Sequence, residues 1–169
     1  RRTTREGGGA RGGEPRPQLG GVYPLGNMGH SFHTEEFSMK NFILGDFFVV
    51  DKATCRFDTE MSLKEDYDFT CSHLKAHGAA LRCNRMVIAA KHETNAGGAC
   101  TVRDAAGEKE RQNIRILQRK WPGAIWAHPT RPNQVVLRWE CLRQPEAEDA
   151  KAAAKAEAKA EAKAKKAAA

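Results

Sequence analysis

Between Asn41 and Gly78 the chain passes from an apolar run, NFILGDFFVV, through a turn and into a helix that opens on the carboxylates of KEDYD. That order limits the fold more than any other stretch. Backbone N–H groups at a helix start point outward without partners, and negative charge is favoured there. Strand, acidic loop and acidic helix start together are how α/β proteins present carboxylates to a ligand at the ends of strands. The run from Phe42 to Val50, broken only by Gly45 and Asp46, is apolar enough for a strand covered on both faces.

Ser62-Leu63-Lys64-Glu65 matches the capping-box pattern S-x-x-E. The Ser62 hydroxyl would accept from the Glu65 N–H while the Glu65 carboxylate reaches back to the Ser62 N–H. The pattern predicts a helix from about Leu63 to His77, with Leu63, Tyr67, Thr70, Cys71 and Leu74 inward and Gly78 ending it in a left-handed conformation. A solvated acidic first turn that complements the dipole accounts for Glu65. Asp66 lies about 100° further round the helix, outside that capping duty. A carboxylate so placed can act as a general base if its neighbours suit its pKa to the working pH.

After Gly78, LRCNRMVIAA reads as a strand from about Leu81 to Ala89 that runs into KHETNAGGA. The break at Asn95-Ala96-Gly97-Gly98 is of a kind used by ligand loops and by ordinary connections alike. Lys91 and His92 fall at the end of this strand, where a lysine can neutralise phosphate and a neutral imidazole can bind a divalent ion; a plain polar loop is the competing reading. Residues Glu108 to Lys120 form a second helix with Ile114 and Leu117 inward and a basic outer face of Lys109, Arg111, Arg115, Arg119 and Lys120, stopped by Pro122. Ala124 to Ala127 and Gln134 to Glu140 flank PTRPN as a hairpin or paired strands. The Gly-rich stretch from Gly21 to Phe37 reads as loop, and His30 and His33 within it as loop residues rather than metal ligands.

The two ends carry little that could pack. Residues 1–20 hold five Arg, six Gly and two Pro, and read as disordered. Residues 146–169 are almost all Ala, Lys and Glu, a low-complexity tail with helix propensity but no apolar stripe. Residues 21–145 are left for one α/β domain. The net charge of +7 is spread over all three parts, so a solvated surface is favoured over a polycationic one, with a basic patch for phosphate or nucleic acid as the alternative.

The chain begins with Arg and reads as a processed product or a piece of a longer one. No segment approaches a transmembrane length, and no partner membrane is expected. The five cysteines, Cys55, Cys71, Cys83, Cys100 and Cys141, include no C-x-x-C pair. That scatter argues against a disulfide framework or a structural zinc site and for reduced thiols in the cytoplasm or nucleus. There is no G-x-x-x-x-G-K-[ST], no G-x-G-x-x-G before a helix and no H-E-x-x-H, so ATP cradles, dinucleotide binding and zinc-peptidase chemistry lack their usual supports.

The ordered set Arg56-Phe57-Asp58, Lys64-Glu65-Asp66-Tyr67-Asp68, helix, Gly78, strand from Leu81 and His92 resembles the second half of a GT-A-type glycosyltransferase. More narrowly, LGDFFVVD, RFDTEMSLKEDYDFT and KHETNAGG are similar to the TET-associated glycosyltransferases. The resemblance implies a GT-A-like, Rossmann-related mixed sheet with flanking helices, present as a partial domain. It implies sugar transfer from a nucleotide-sugar donor to a hydroxyl, such as that of a hydroxymethylated pyrimidine in DNA. Asp66 matches the acceptor-side base, Glu65 the residue that orients it or caps the helix, and His92 the metal ligand for a divalent cation, Mn²⁺ or Mg²⁺. Lys64, Asp68, Lys91, Gly97 and Gly98 are the substrate-binding candidates around them. The sequence departs from the family at the front, where no D-x-D occurs in residues 1–41. A non-catalytic nucleic-acid-binding module using the basic helix and the tails is the alternative function.

Overall fold

The computed structural model describes residues 15–90 and 99–143. They group into two compact units. The first contains residues 15–58 and 65–90, the second residues 59–64 and 99–143. Among the described residues no helix is long and apolar enough to cross a membrane.

The first unit is built on a mixed sheet. Its strands are β1 (Leu19–Tyr23), β2 (Phe37–Ser38), β3 (Phe48–Val50) and β4 (Leu81–Val87), and helix α1 (Glu65–His77) lies between β3 and β4 in the chain. The spatial order is β2-β4-β1-β3. β1 runs parallel to β4, with Gly20 opposite Leu81, and antiparallel to β3, with Gly20 opposite Val49. β2 pairs antiparallel with β4 through Phe37 and Cys83. The α/β class and the mixed sheet are therefore as expected, but the central strand is not.

The stretch expected as loop from Gly21 to Phe37 supplies most of β1, followed by a 3-10 helix over Leu25–His33. Its glycines hid the strand, and packing explains them. A Cβ on Gly21 would overlap the Ile43 Cγ2 methyl and approach the Phe47 carbonyl oxygen to 3.1 Å. Leu19, Val22 and Tyr23 on the same strand are buried, so Gly21 leaves room for Ile43 while three large side chains of the strand enter the core. The apolar run from Phe42 to Val50, in turn, is not a covered central strand. Only Phe48–Val50 pairs, at the edge, and Val49 is 58% exposed.

The first half of that run lies along α1 instead. Phe42 stacks on Tyr67 with ring centroids 3.8 Å apart, and the Ile43 N–H donates to Thr70 Oγ1 at 3.3 Å. Buried α1 residues are Asp68, Phe69, Thr70, Cys71, His73 and Leu74, so the expected inward set holds for Thr70, Cys71 and Leu74, while Tyr67 is half-exposed. Gly78 ends the helix at φ +73° as the sequence indicates, its N–H donating to the Leu74 carbonyl at 2.9 Å. Across the sheet, Arg82 is half-buried: Nε donates to Asn84 Oδ1 at 2.8 Å, and the guanidinium lies 4.8 Å from the Tyr23 ring centroid.

The second unit contains α2 (Ala99–Val102), α3 (Glu108–Lys120), and the hairpin strands β5 (Ile125–Ala127) and β6 (Val135–Leu137). α3 has the expected bounds, and the strands around PTRPN pair antiparallel, Trp126 opposite Val136. The helix buries Asn113 and Leu117, whereas Ile114 is half-buried. Met61, Leu63, Trp121, Ala124, Ile125 and Val135 complete the buried apolar set of this unit among the described residues.

Candidate functional site

The acidic helix start forms, by a different local route from the one the sequence suggests. Lys64 has φ +61°, and α1 begins at Glu65. A β-region cap at Ser62 with helix from Leu63 is therefore not what the backbone adopts. Ser62 is drawn elsewhere. Its N–H donates to Asn113 Oδ1 at 3.2 Å and its hydroxyl accepts from Asn113 Nδ2 at 3.4 Å. The Leu63 N–H donates to the same Oδ1 at 3.4 Å. A buried carboxamide from α3 thus satisfies backbone donors that a local capping box would have left to side chains of the turn.

Glu65, Asp66 and Asp68 all fall in the first turn of α1. Asp66 Oδ1 accepts from the Tyr67 N–H at 2.9 Å and Oδ2 from the Gly45 N–H at 3.2 Å. Its carboxylate is half-exposed and held at the helix start by two backbone donors, in a geometry that fixes its direction. Asp68, by contrast, is 2% exposed, which turns it into the fold rather than toward a ligand. Glu65 is half-exposed. The Lys64 ammonium lies 3.9 Å from a Glu110 carboxylate oxygen that Arg103 approaches at 3.3 Å, so its charge is directed at Glu110. Of the remaining predicted site residues, Lys91, His92, Gly97 and Gly98 lie outside the described residues.

A second cluster was not expected from the sequence. Cys55, His73 and His77 each offer one ligand atom, and the three atoms lie within 4.8 Å of one another. His73 is 0% exposed, and among the described residues neither of its ring nitrogens has a hydrogen-bond partner; the Nε2 of His77 has none there either. Leaving a buried polar atom unsatisfied costs about 1–3 kcal/mol. Burial lowers the His73 pKa from the ordinary histidine value, and the neighbouring His77 lowers it further. Burial also pushes the Cys55 thiol up, against a hydrogen bond to its own backbone N–H and the charge of Arg56. Around them, the His73 ring meets Phe69 edge-on at 4.6 Å, and Phe69 stacks on Phe57 at 4.2 Å. The signal in the sequence was the four-residue spacing of His73 and His77 on a predicted helix; Cys55 is far enough away in sequence that only the fold brings it in.

Comparison with protein-family models, curated proteins and solved structures found no match.

Proposed function

We propose that the chain is the acceptor-side part of a nucleotide-sugar-dependent glycosyltransferase of the GT-A kind, with Asp66 as the base. The observation that carries this reading is the Asp66 carboxylate itself, half-exposed at the start of α1 and aimed by the Gly45 and Tyr67 N–H groups. The succession of β3, acidic turn, α1, Gly78 and β4 supports it, because that is the order of parts in the resembled group. In this role Asp66 takes the proton of an acceptor hydroxyl as its oxygen attacks the sugar's anomeric carbon and the nucleoside diphosphate departs. Glu65 sits beside it in the same turn, and the acceptor class is a hydroxymethylated pyrimidine of DNA.

A divalent cation, when bound, would neutralise the departing diphosphate. His92 is the residue of this chain assigned to hold it, with Lys91, Gly97 and Gly98 nearby in sequence on the donor side. The test is turnover of a UDP-sugar by the full-length natural protein in Mn²⁺, with and without a hydroxymethylated DNA acceptor. Asp66→Asn should lower transfer by roughly a hundredfold or more, the scale of a lost general base. Transfer unchanged by Asp66→Asn overturns the assignment.

The second reading, a nucleic-acid-binding module, draws on the exposed Lys109, Arg115, Arg119 and Lys120 of α3. It is weakened by Glu108, which pairs with Arg111 at 2.8 Å and Arg115 at 3.7 Å. Its mark would be DNA affinity that falls steeply with salt and ignores Mn²⁺.

A further inference from the structure

We propose that Cys55, His73 and His77 form a three-ligand site for a divalent transition-metal ion of the zinc class. His73 and His77 are one turn apart on α1, so both rings leave the helix on one side, and Cys55 meets them from the segment between β3 and α1. A thiolate with two imidazoles is a donor set that suits a borderline-soft ion and disfavours Mg²⁺ or Ca²⁺. The cluster contains no fourth His, Cys, Asp or Glu among the described residues. Three protein ligands with one tetrahedral position left for water is the pattern of a reactive rather than a closed structural zinc site.

The histidine at its centre is an independent sign. A ring that is 0% exposed with both nitrogens unpartnered among the described residues has given up its hydration without a replacement there, and a metal bond to one nitrogen supplies one. A tetrahedral ion with bonds of about 2.0–2.3 Å holds its ligand atoms roughly 3.3–3.7 Å apart, so filling the site draws the three together by about an ångström. Cys55 and His77 are half-buried and can turn inward to do so, whereas His73 is fixed by packing. The Phe57–Phe69 stack next to His73 provides an apolar flank that strengthens coordination. Binding converts the Cys55 thiol to a metal-bound thiolate and releases one proton to solvent. None of these residues belongs to the acidic turn, so the site stands whether or not the chain transfers sugar.

The experiment uses the full chain stripped with chelator and titrated with Co²⁺, whose thiolate charge-transfer absorption reports sulfur ligation and whose d–d bands report tetrahedral geometry. Zn²⁺ affinity is then measured by competition with a chromophoric chelator. The expected result is one equivalent of tetrahedral Co²⁺ with a thiolate band, displaced by Zn²⁺. Cys55→Ser abolishes the band, and Cys55→Ser and His77→Ala each weaken Zn²⁺ binding by at least about a hundredfold, the upper end of what losing a mere outer-sphere partner costs. Both positions are half-buried, so circular dichroism should show α1 intact in each variant. His30→Ala/His33→Ala serves as the control and binds as wild type. Absence of binding by the wild-type chain, binding unaltered by both ligand substitutions, or loss of binding in the control overturns the proposal.

Discussion

The backbone N–H of Gly45 donates to a carboxylate oxygen of Asp66 at 3.2 Å, tying the apolar segment before β3 to the first turn of α1. Asp66 therefore does two things at one position, anchoring a neighbouring segment and presenting a carboxylate edge. The two duties separate by substitution. Asp66→Ala removes both acceptors and should destabilise the protein by about 1 kcal/mol, the usual cost of a lost cap. Asp66→Asn keeps an acceptor and should lie within about 0.5 kcal/mol of wild type. Chemical denaturation of the two variants checks the pair, and equal losses would mean that the carboxylate charge, not its acceptor geometry, holds the contact.

Gly21 should not tolerate a side chain. Alanine there overlaps the Ile43 methyl and presses on the Phe47 carbonyl, so Gly21→Ala should cost about 1–3 kcal/mol through overpacking. Ile43→Ala in the same chain should return part of the loss, because it removes the atom in the way. Urea midpoints for the two single variants and the double variant measure this coupling, and strict additivity would place the strain elsewhere.

Asn113 is the buried polar residue on which the turn before α1 depends. Its Oδ1 accepts from Ser62 and Leu63, and its Nδ2 donates to the Lys109 carbonyl at 2.8 Å. Asn113→Ala leaves those backbone groups unsatisfied and should cost about 2–3 kcal/mol, read as a lower thermal midpoint. Ser62→Ala, which keeps its N–H, should be much milder.

Asp104 gives α3 a pH-dependent start. The N–H of Glu108 donates to its carboxylate at 2.9 Å and that of Lys109 at 3.0 Å, and these bonds hold its carboxyl below the ordinary aspartate value. Because the folded value is depressed, the contribution is complete above the ordinary aspartate range and is lost as pH falls through the folded value. Asp104→Ala should therefore melt earlier than wild type at neutral pH, with the gap closing in acid. A gap that persists in strong acid would exclude the carboxylate as its source.

How much of this the sequence discloses depends on how local the cause is. The bounds of α3, the hairpin around PTRPN and the stop at Gly78 follow from periodicity, a turn phrase and one left-handed glycine, and all three are found. β1 was hidden because Gly21 answers to Ile43, more than twenty positions away. The capping box failed for the same reason: S-x-x-E is a local match, but Ser62 finds Asn113 across a separation of 51 residues. Cys55 joins His73 and His77 only once the segment after β3 is laid against α1. The acidic turn was legible as a cluster, while the difference between half-exposed Asp66 and buried Asp68 appears only with the packing.

The position of β1 also sets a timetable for synthesis. It is the first described strand to leave the ribosome, yet it lies between β3 and β4, and its parallel partner is the last strand of the unit to be made. An antiparallel β1–β3 pair can form early, but two strands alone are marginal in water. A nascent chain halted before Leu81 should thus remain open to protease along LGGVY, and lengthening it past Val87 should close that site in one step.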